Sequence, residues 1–148
     1  MEGIILMGLQ ASGKSSFFLQ KFYQTHMRLN LDLLKTRNRE AILLNACLES
    51  KTPCVIDNTN PTQNVRARYI ELFKPSGFNV VGYCFITNAA ECIQRNKKRI
   101  FKERVPDVAI RATRNKFEYP SIKEGFDRLY AVRLIDNEFL IEGWKDEV

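Results

Sequence analysis

Short runs of consecutive apolar residues alternate along the chain with longer segments whose apolar residues recur every three to four positions. The first pattern belongs to strands buried on both faces, the second to helices that cover them. Ile4-Ile5-Leu6-Met7 predicts a strand, and the spacing within Phe17-Phe18-Leu19-Gln20-Lys21-Phe22-Tyr23 predicts a helix over 14–24. A short strand at Arg28-Leu29-Asn30 puts Asp32 at its C-terminal end. Leu34, Ala41, Leu44 and Leu48 recur at turn spacing and predict a helix over 33–49, stopped by Lys51-Thr52-Pro53. Cys54-Val55-Ile56 predicts the next strand, ended by Asp57-Asn58-Thr59-Asn60-Pro61. Thr62 is placed to cap a helix through Leu72-Phe73, closed by Pro75-Ser76-Gly77. Residues 78–86, rich in β-branched and aromatic side chains, predict a strand, and Asn88 is placed to cap the helix that carries Cys92 and Ile93. Val105-Pro106-Asp107 restarts a helix that ends near Tyr119-Pro120. Residues 131–136 predict a strand, with which 139–141 can pair after a turn at Asp136-Asn137-Glu138. Strands separated by helices imply an α/β fold with a parallel sheet flanked by helices on both faces. No repeat, low-complexity run or linker divides residues 1–148, so one domain is expected. Ligands in such sheets bind beyond the C-terminal ends of the strands. Asp32, Asp57 and the turn after the first strand all fall there.

That turn changes the picture. Gly8-Leu9-Gln10-Ala11-Ser12-Gly13-Lys14-Ser15 fits G-x-x-x-x-G-K-[ST] at every position, with Ser16 directly after. The motif needs a strand before it and a helix after it, and both are predicted. Glycines let phosphate oxygens approach main-chain N–H groups, and the helix N-terminus adds its positive dipole end. Gly8, Ala11, Ser12, Gly13, Lys14, Ser15 and Ser16 are therefore the expected contacts to a nucleoside triphosphate. Lys14 would reach the β- and γ-phosphates, and the Ser15 hydroxyl would ligate Mg²⁺. The alternative is a chance match in a Gly/Ser turn, against which the flanking strand and helix weigh.

Composition narrows the partners. The formal net charge is +6, with a pI near 9.3, a balance that hints at a polyanion without proving one. No apolar run is long enough to span a membrane, and Met1-Glu2 enters a strand without the basic start of a signal peptide. The four cysteines, Cys47, Cys54, Cys84 and Cys92, form no C-x-x-C pair and sit in apolar contexts. They are expected as buried free thiols of a cytoplasmic or nuclear, non-secreted protein. His26 is the lone histidine, so no His-based metal or nucleophile site is evident.

Three further groups carry candidate chemistry. Asp57 follows a strand, as a Walker B acid does, and would hold Mg²⁺ through an intervening water or cap the turn Asn58-Thr59-Asn60. Asp32 lies about twenty residues past the phosphate loop and faces the same cleft. It suits a general base for an alcohol acceptor, and by position equally suits an N-cap. Arg95-Asn96-Lys97-Lys98-Arg99 places Arg95 and Arg99 on one face of a helix, as a lid over the transferring phosphoryl group or as a solvated basic face. Arg66, Arg68 and Lys74 are either part of a nucleic-acid footprint or an exposed helix face. Phe17, Phe18, Tyr83, Phe85 and Trp144 are expected in the core.

The chain resembles the polynucleotide 5′-hydroxyl kinase family. The resemblance runs through Gly8 to Ser16, Asn30-Leu31-Asp32, Ile56-Asp57-Asn58-Thr59-Asn60-Pro61 and Arg66-Ala67-Arg68-Tyr69. It continues through Arg95-Asn96-Lys97-Lys98-Arg99, Val105-Pro106, Lys116-Phe117-Glu118-Tyr119-Pro120-Ser121 and Glu124-Gly125-Phe126. It implies a P-loop kinase fold with a helical lid, ATP and Mg²⁺ as cofactors, and a nucleic-acid 5′-OH end as acceptor. By motif it implies Asp32 as the base, Arg95 and Arg99 on the donor phosphates, and Val105 beside the terminal nucleoside. Asn58 and Thr59 fall in the run that faces the acceptor. Some members carry an arginine where this chain has Lys35, which leaves a point charge in place of a bidentate clamp on the acceptor phosphate. No phosphatase signature is present, so kinase activity alone is expected. Two other readings stay open: a kinase of a small nucleoside- or sugar-like alcohol, and an ATP-dependent switch acting through partners. The oligomeric state is not indicated.

Overall fold

The computed structural model describes residues 1–146. Six strands form one sheet: β1 (Glu2–Met7), β2 (Met27–Leu29), β3 (Cys54–Asp57), β4 (Asn79–Phe85), β5 (Arg128–Ile135) and β6 (Glu138–Gly143). Their order is β2-β3-β1-β4-β5-β6. The first five run parallel, and β6 returns antiparallel on β5. The reversal uses Asp136 and Asn137 at φ 51° and 63°, left-handed positions that these two residue types tolerate.

β1 lies between β3 and β4, so its side chains enter cores on both faces. Ile5 and Met7 join Leu29, Ile56 and Phe73 on one side. Ile4 and Leu6 join Phe17, Phe18 and Phe85 on the other. Each such side chain contributes about 1.5–3 kcal/mol on burial. Phe17 meets Phe85 and Phe139 edge-on, with ring centroids at 5.3 and 5.1 Å. It pins α1 (Lys14–Lys21) to the sheet directly behind the glycine-rich turn. The helix ends at Lys21 rather than at 24, because Thr25 and His26 both turn their N–H groups back to the Phe22 carbonyl.

The segment expected as one helix over 33–49 is two: α2 (Leu31–Leu34) and α3 (Arg37–Ser50). Lys35 at φ 75° breaks the run. Asn30 and Thr36 each start a helix, their side chains accepting the Leu33 and Arg39 N–H groups. Two caps six residues apart leave room for one turn between them. Thr62 and Asn88 cap α4 (Gln63–Phe73) and α5 (Ala89–Lys97) as the sequence indicates. α6 (Asp107–Lys116) follows Pro106.

Arg66 is neither a footprint residue nor an exposed one. It is fully buried, and its Nε and Nη2 donate to the two Glu124 carboxylate oxygens at 2.9 and 3.2 Å. Its Nη1 donates to the Asn60 carbonyl at 3.0 Å. A buried arginine requires such saturation of its donors. The Glu124-Gly125-Phe126 segment is therefore structural. Glu124 neutralises Arg66, Gly125 turns at φ 117°, and Phe126 enters the core. Arg68 is not fully buried, and Lys74 meets Asp127 at the surface. The four cysteines are buried free thiols, and burial pushes the Cys84 thiol up to about 12. Among the described residues no helix is long and apolar enough to cross a membrane.

Candidate active site

The turn after β1 is shaped for an anion. Gly13 precedes α1 at φ 105° and contributes no side-chain cap, so the helix's first N–H groups face outward without an intrahelical acceptor. Gly8 admits no side chain, since a Cβ there would stand 2.9 Å from Phe85 and from Ser12 Oγ. Lys14 curls over this turn. Its Nζ donates to the Gly8 and Leu9 carbonyls, both at 2.8 Å, and lies 3.4 Å from Ser12 Oγ. Burial pulls its pKa down to about 8, against the opposing pull of Asp57. A buried ammonium with its charge only partly compensated is a strong binder of polyphosphate.

Lys14 opens on a cavity of about 260 Å³ beyond the C-terminal ends of β1, β2 and β3. Gln10, Ala11 and Ser15 line it from the turn, and Asp57, Asn58 and Thr59 from the end of β3. Asn30, Leu31 and Asp32 line it from the start of α2, and Arg99 and Val105 from the segment that follows α5. The structure thus brings Lys14, Ser15, Asp32, Asp57, Asn58, Thr59, Arg99 and Val105 together.

Asp32 does not cap a helix. The Asn30 carboxamide takes that position, accepting the Leu33 N–H at 3.0 Å and donating to the Asp57 carbonyl. Asp32 stands in the first turn of α2, exposed at the cavity. Asn58 secures the same turn, accepting the Leu31 N–H at 2.9 Å and donating to Glu40 at 3.0 Å. Glu40 is buried, and Tyr69 also donates to it, at 2.7 Å. Thr59 gives its carbonyl to the Gly8 N–H at 3.0 Å, which ties the end of β3 to the phosphate turn.

Arg95 and Arg99 do not share a helical face, because α5 ends at Lys97. Arg99 reaches the cavity, while Arg95 lies 3.7 Å from Glu91, one turn back on its own helix. Val105 is held by buried Asn96, whose side chain donates to the Val105 carbonyl at 2.6 Å and accepts its N–H at 3.1 Å. Lys35 is exposed at the C-terminus of α2 and is not part of the cavity wall. Ser16 is likewise exposed on α1. Gly8 borders a second, smaller cavity, shared with Phe85, Arg114 and Tyr119.

Arg28 belongs to the site, although nothing local in the sequence marks it. Its Nε donates to Asp57 Oδ2 at 2.8 Å and its Nη2 to Ser15 Oγ at 3.0 Å. The pair Ser15 and Asp57 offers a hydroxyl and a carboxylate, the hard oxygen donors that Mg²⁺ takes. Among the described residues no group of three or more acids, histidines or cysteines could hold a metal unaided. Mg²⁺ commonly leans on one or two protein oxygens and on substrate phosphates, so the donors present fit that ion.

A family model described as an AAA domain matches residues 32–120. The chain is 28% identical over 138 residues to a bifunctional polynucleotide phosphatase/kinase of Schizosaccharomyces pombe, covering 88% of this chain and 33% of that protein. It is 27% identical over 154 residues to a putative bifunctional polynucleotide phosphatase/kinase of Acanthamoeba polyphaga mimivirus, covering 97% and 36%. It thus spans about a third of the length of these curated relatives. Chaetomium thermophilum Kti12, solved in complex with ADP-AlF3, superposes with a TM-score of 0.70 at 14% identity. That match covers 92% of this chain and 91% of Kti12 and shows a common P-loop fold.

Proposed function

The chain belongs to the AAA domain family, and on that premise we propose that it transfers the γ-phosphoryl group of ATP to the 5′-hydroxyl end of a polynucleotide. The observation that carries this reading is the meeting of Asp32 and Val105 with Lys14 and Ser15 around one cavity. A nucleotide-hydrolysing switch needs the last two and has no use for an acceptor-side base.

In this mechanism the turn from Gly8 to Ser15 holds the triphosphate through main-chain N–H groups and the Lys14 ammonium. Ser15 would hold Mg²⁺ directly and Asp57 through a bound water, and the ion would supply charge neutralisation at the donor phosphates. Arg99 faces the transferring group and stabilises its developing charge. The acceptor's terminal nucleoside packs against Val105. Asp32 accepts the proton of the 5′-OH as that oxygen bonds to phosphorus and the bond to the departing ADP breaks. Asn30, Asn58 and Glu40 act through α2, fixing where Asp32 stands. Thr59 and Asn58 shape the floor of the acceptor site.

The test is phosphoryl transfer from ATP to 5′-OH oligonucleotides beside free nucleosides and sugars. Transfer to oligonucleotides, with acceptor KM rising steeply with salt, supports the reading. Transfer to a nucleoside and to no oligonucleotide replaces it with a small-alcohol kinase. ATP hydrolysis unaffected by any acceptor replaces it with a switch.

A further inference from the structure

The loop between Arg99 and Val105 turns an aromatic ring outward. Phe101 is 87% exposed, the most exposed large hydrophobic side chain among the described residues, and Ile100 beside it is 64% exposed. The loop itself is closed at its base. Arg99 Nη1 donates to the Glu103 carbonyl at 3.2 Å, Arg104 Nε donates to the Arg99 carbonyl at 2.8 Å, and Asn96 brackets Val105. These bonds hold the outer turn, which contains Phe101–Glu103, away from the protein core. Both ends of the loop, Arg99 and Val105, line the cavity.

The surroundings of the ring indicate its partner. Lys97, Lys98, Lys102 and Arg104 are all exposed, and Glu103 is the single acid within 97–104. A polynucleotide strand brings flat bases and, between them, phosphates. An apolar protein surface has no need of the cations, and an acidic one has no need of the ring. A second copy of this chain would bring the same cations against themselves. Building on the proposed acceptor, we propose that Phe101 is a stacking platform for a nucleobase of the acceptor strand, with Lys98, Lys102 and Arg104 on the flanking phosphates.

The test is a double-mutant cycle. Phe101→Ala and Phe101→Trp are compared with the parent for binding and phosphorylation of a 5′-OH dodecamer, intact and with an abasic site at each of its first four positions. Phe101→Ala is expected to weaken the intact strand about 5- to 100-fold, with ATP KM unchanged and Phe101→Trp near the parent. One abasic position should reproduce that loss in the parent and add nothing to Phe101→Ala. A parent active on the dodecamer with Phe101→Ala unchanged overturns this inference alone. So does a Phe101→Ala loss that couples to no abasic position, or one seen equally in ATP KM. A Phe101-dependent dimer in sedimentation, with oligonucleotide affinity unchanged, overturns it in favour of self-association. A parent that neither binds nor phosphorylates the dodecamer removes the acceptor reading itself.

Discussion

The Arg28 guanidinium lies against the Asp57 carboxylate, with Nε donating to Oδ2 at 2.8 Å and its other arm on Ser15. Asp57 is 1% exposed, so Arg28 is what balances a buried negative charge at the end of β3. Arg28→Ala leaves that carboxylate short of a charged donor, at a cost of about 1–3 kcal/mol. For a chain of this size the melting temperature of the nucleotide-free protein should fall by roughly 2–10 °C. Replacing both partners, Arg28→Leu with Asp57→Asn, should recover part of that loss. Thermal melts of these variants check it, and an unchanged melting point in Arg28→Ala would remove Arg28 from the site.

Lys14 carries a pH dependence with a definite sign. In the folded chain its ammonium deprotonates near pH 8, and its ordinary value is 10.5. Between these limits the unfolded chain binds more protons, so Lys14's contribution to stability rises with pH across that window. Polyphosphate favours the charged form and reverses the shift. At about pH 8.5 ATP binding should therefore draw a fraction of a proton onto Lys14. Calorimetry in two buffers of different ionisation enthalpy measures that uptake, which should vanish in Lys14→Met. Lys14→Ala should also lose at least about 10²-fold in transfer. Binding without proton uptake in the parent would mean that Lys14 does not meet the phosphates.

Arg95 and Arg99 should separate. Arg99 lines the cavity and Arg95 does not. Arg99→Ala should lower kcat by about 10²-fold or more, with acceptor KM little changed. Arg95→Ala removes a partly exposed contact to Glu91 and should stay within several-fold of the parent. Equal losses in both, read from steady-state kinetics, would restore the shared helical face that the sequence suggests.

These contrasts separate what is legible in the chain from what is not. β1, the phosphate turn and α1 are local: a buried apolar run, a fixed motif and a helix start lie within about twenty residues. The caps Thr62 and Asn88 are local too. Arg28 is hidden because its partner Asp57 is 29 residues away, and a basic residue in a three-residue strand looks like surface. Arg66 misleads for the same reason, with Glu124 58 residues on and arginine rarely buried unless paired. The end of α5 is unreadable because 95–99 holds neither glycine nor proline to stop a helix. The break at Lys35 is readable in principle, since Thr36 is a capping residue; the apolar spacing across it conceals the stop.

Arg66 gives a prediction that separates stability from nucleic-acid contact. Arg66→Ala strands Glu124, whose side chain is 9% exposed, and should cost about 3–5 kcal/mol. In the fraction that folds, the slope of acceptor affinity against salt should match the parent, since a buried ion pair releases no counterions. A shallower slope with normal stability would return Arg66 to the footprint.

Asp32 divides an alcohol kinase from a plain ATPase, and its place in the fold makes the test clean. Asn30 caps α2, so the cap of that helix does not depend on the Asp32 carboxylate. Asp32→Asn keeps the shape of the side chain and removes its capacity to accept a proton. The melting temperature should move by no more than about 2 °C, in line with a change under about 0.5 kcal/mol at an exposed position. ATP and oligonucleotide should bind near the parental level. General-base assistance contributes about 10²–10⁴-fold, so transfer to a 5′-OH should fall by at least about 10²-fold. Single-turnover transfer measured with saturating oligonucleotide isolates the chemical step. Parental transfer in Asp32→Asn would leave the carboxylate with no part in the reaction, and the proposed base would be wrong.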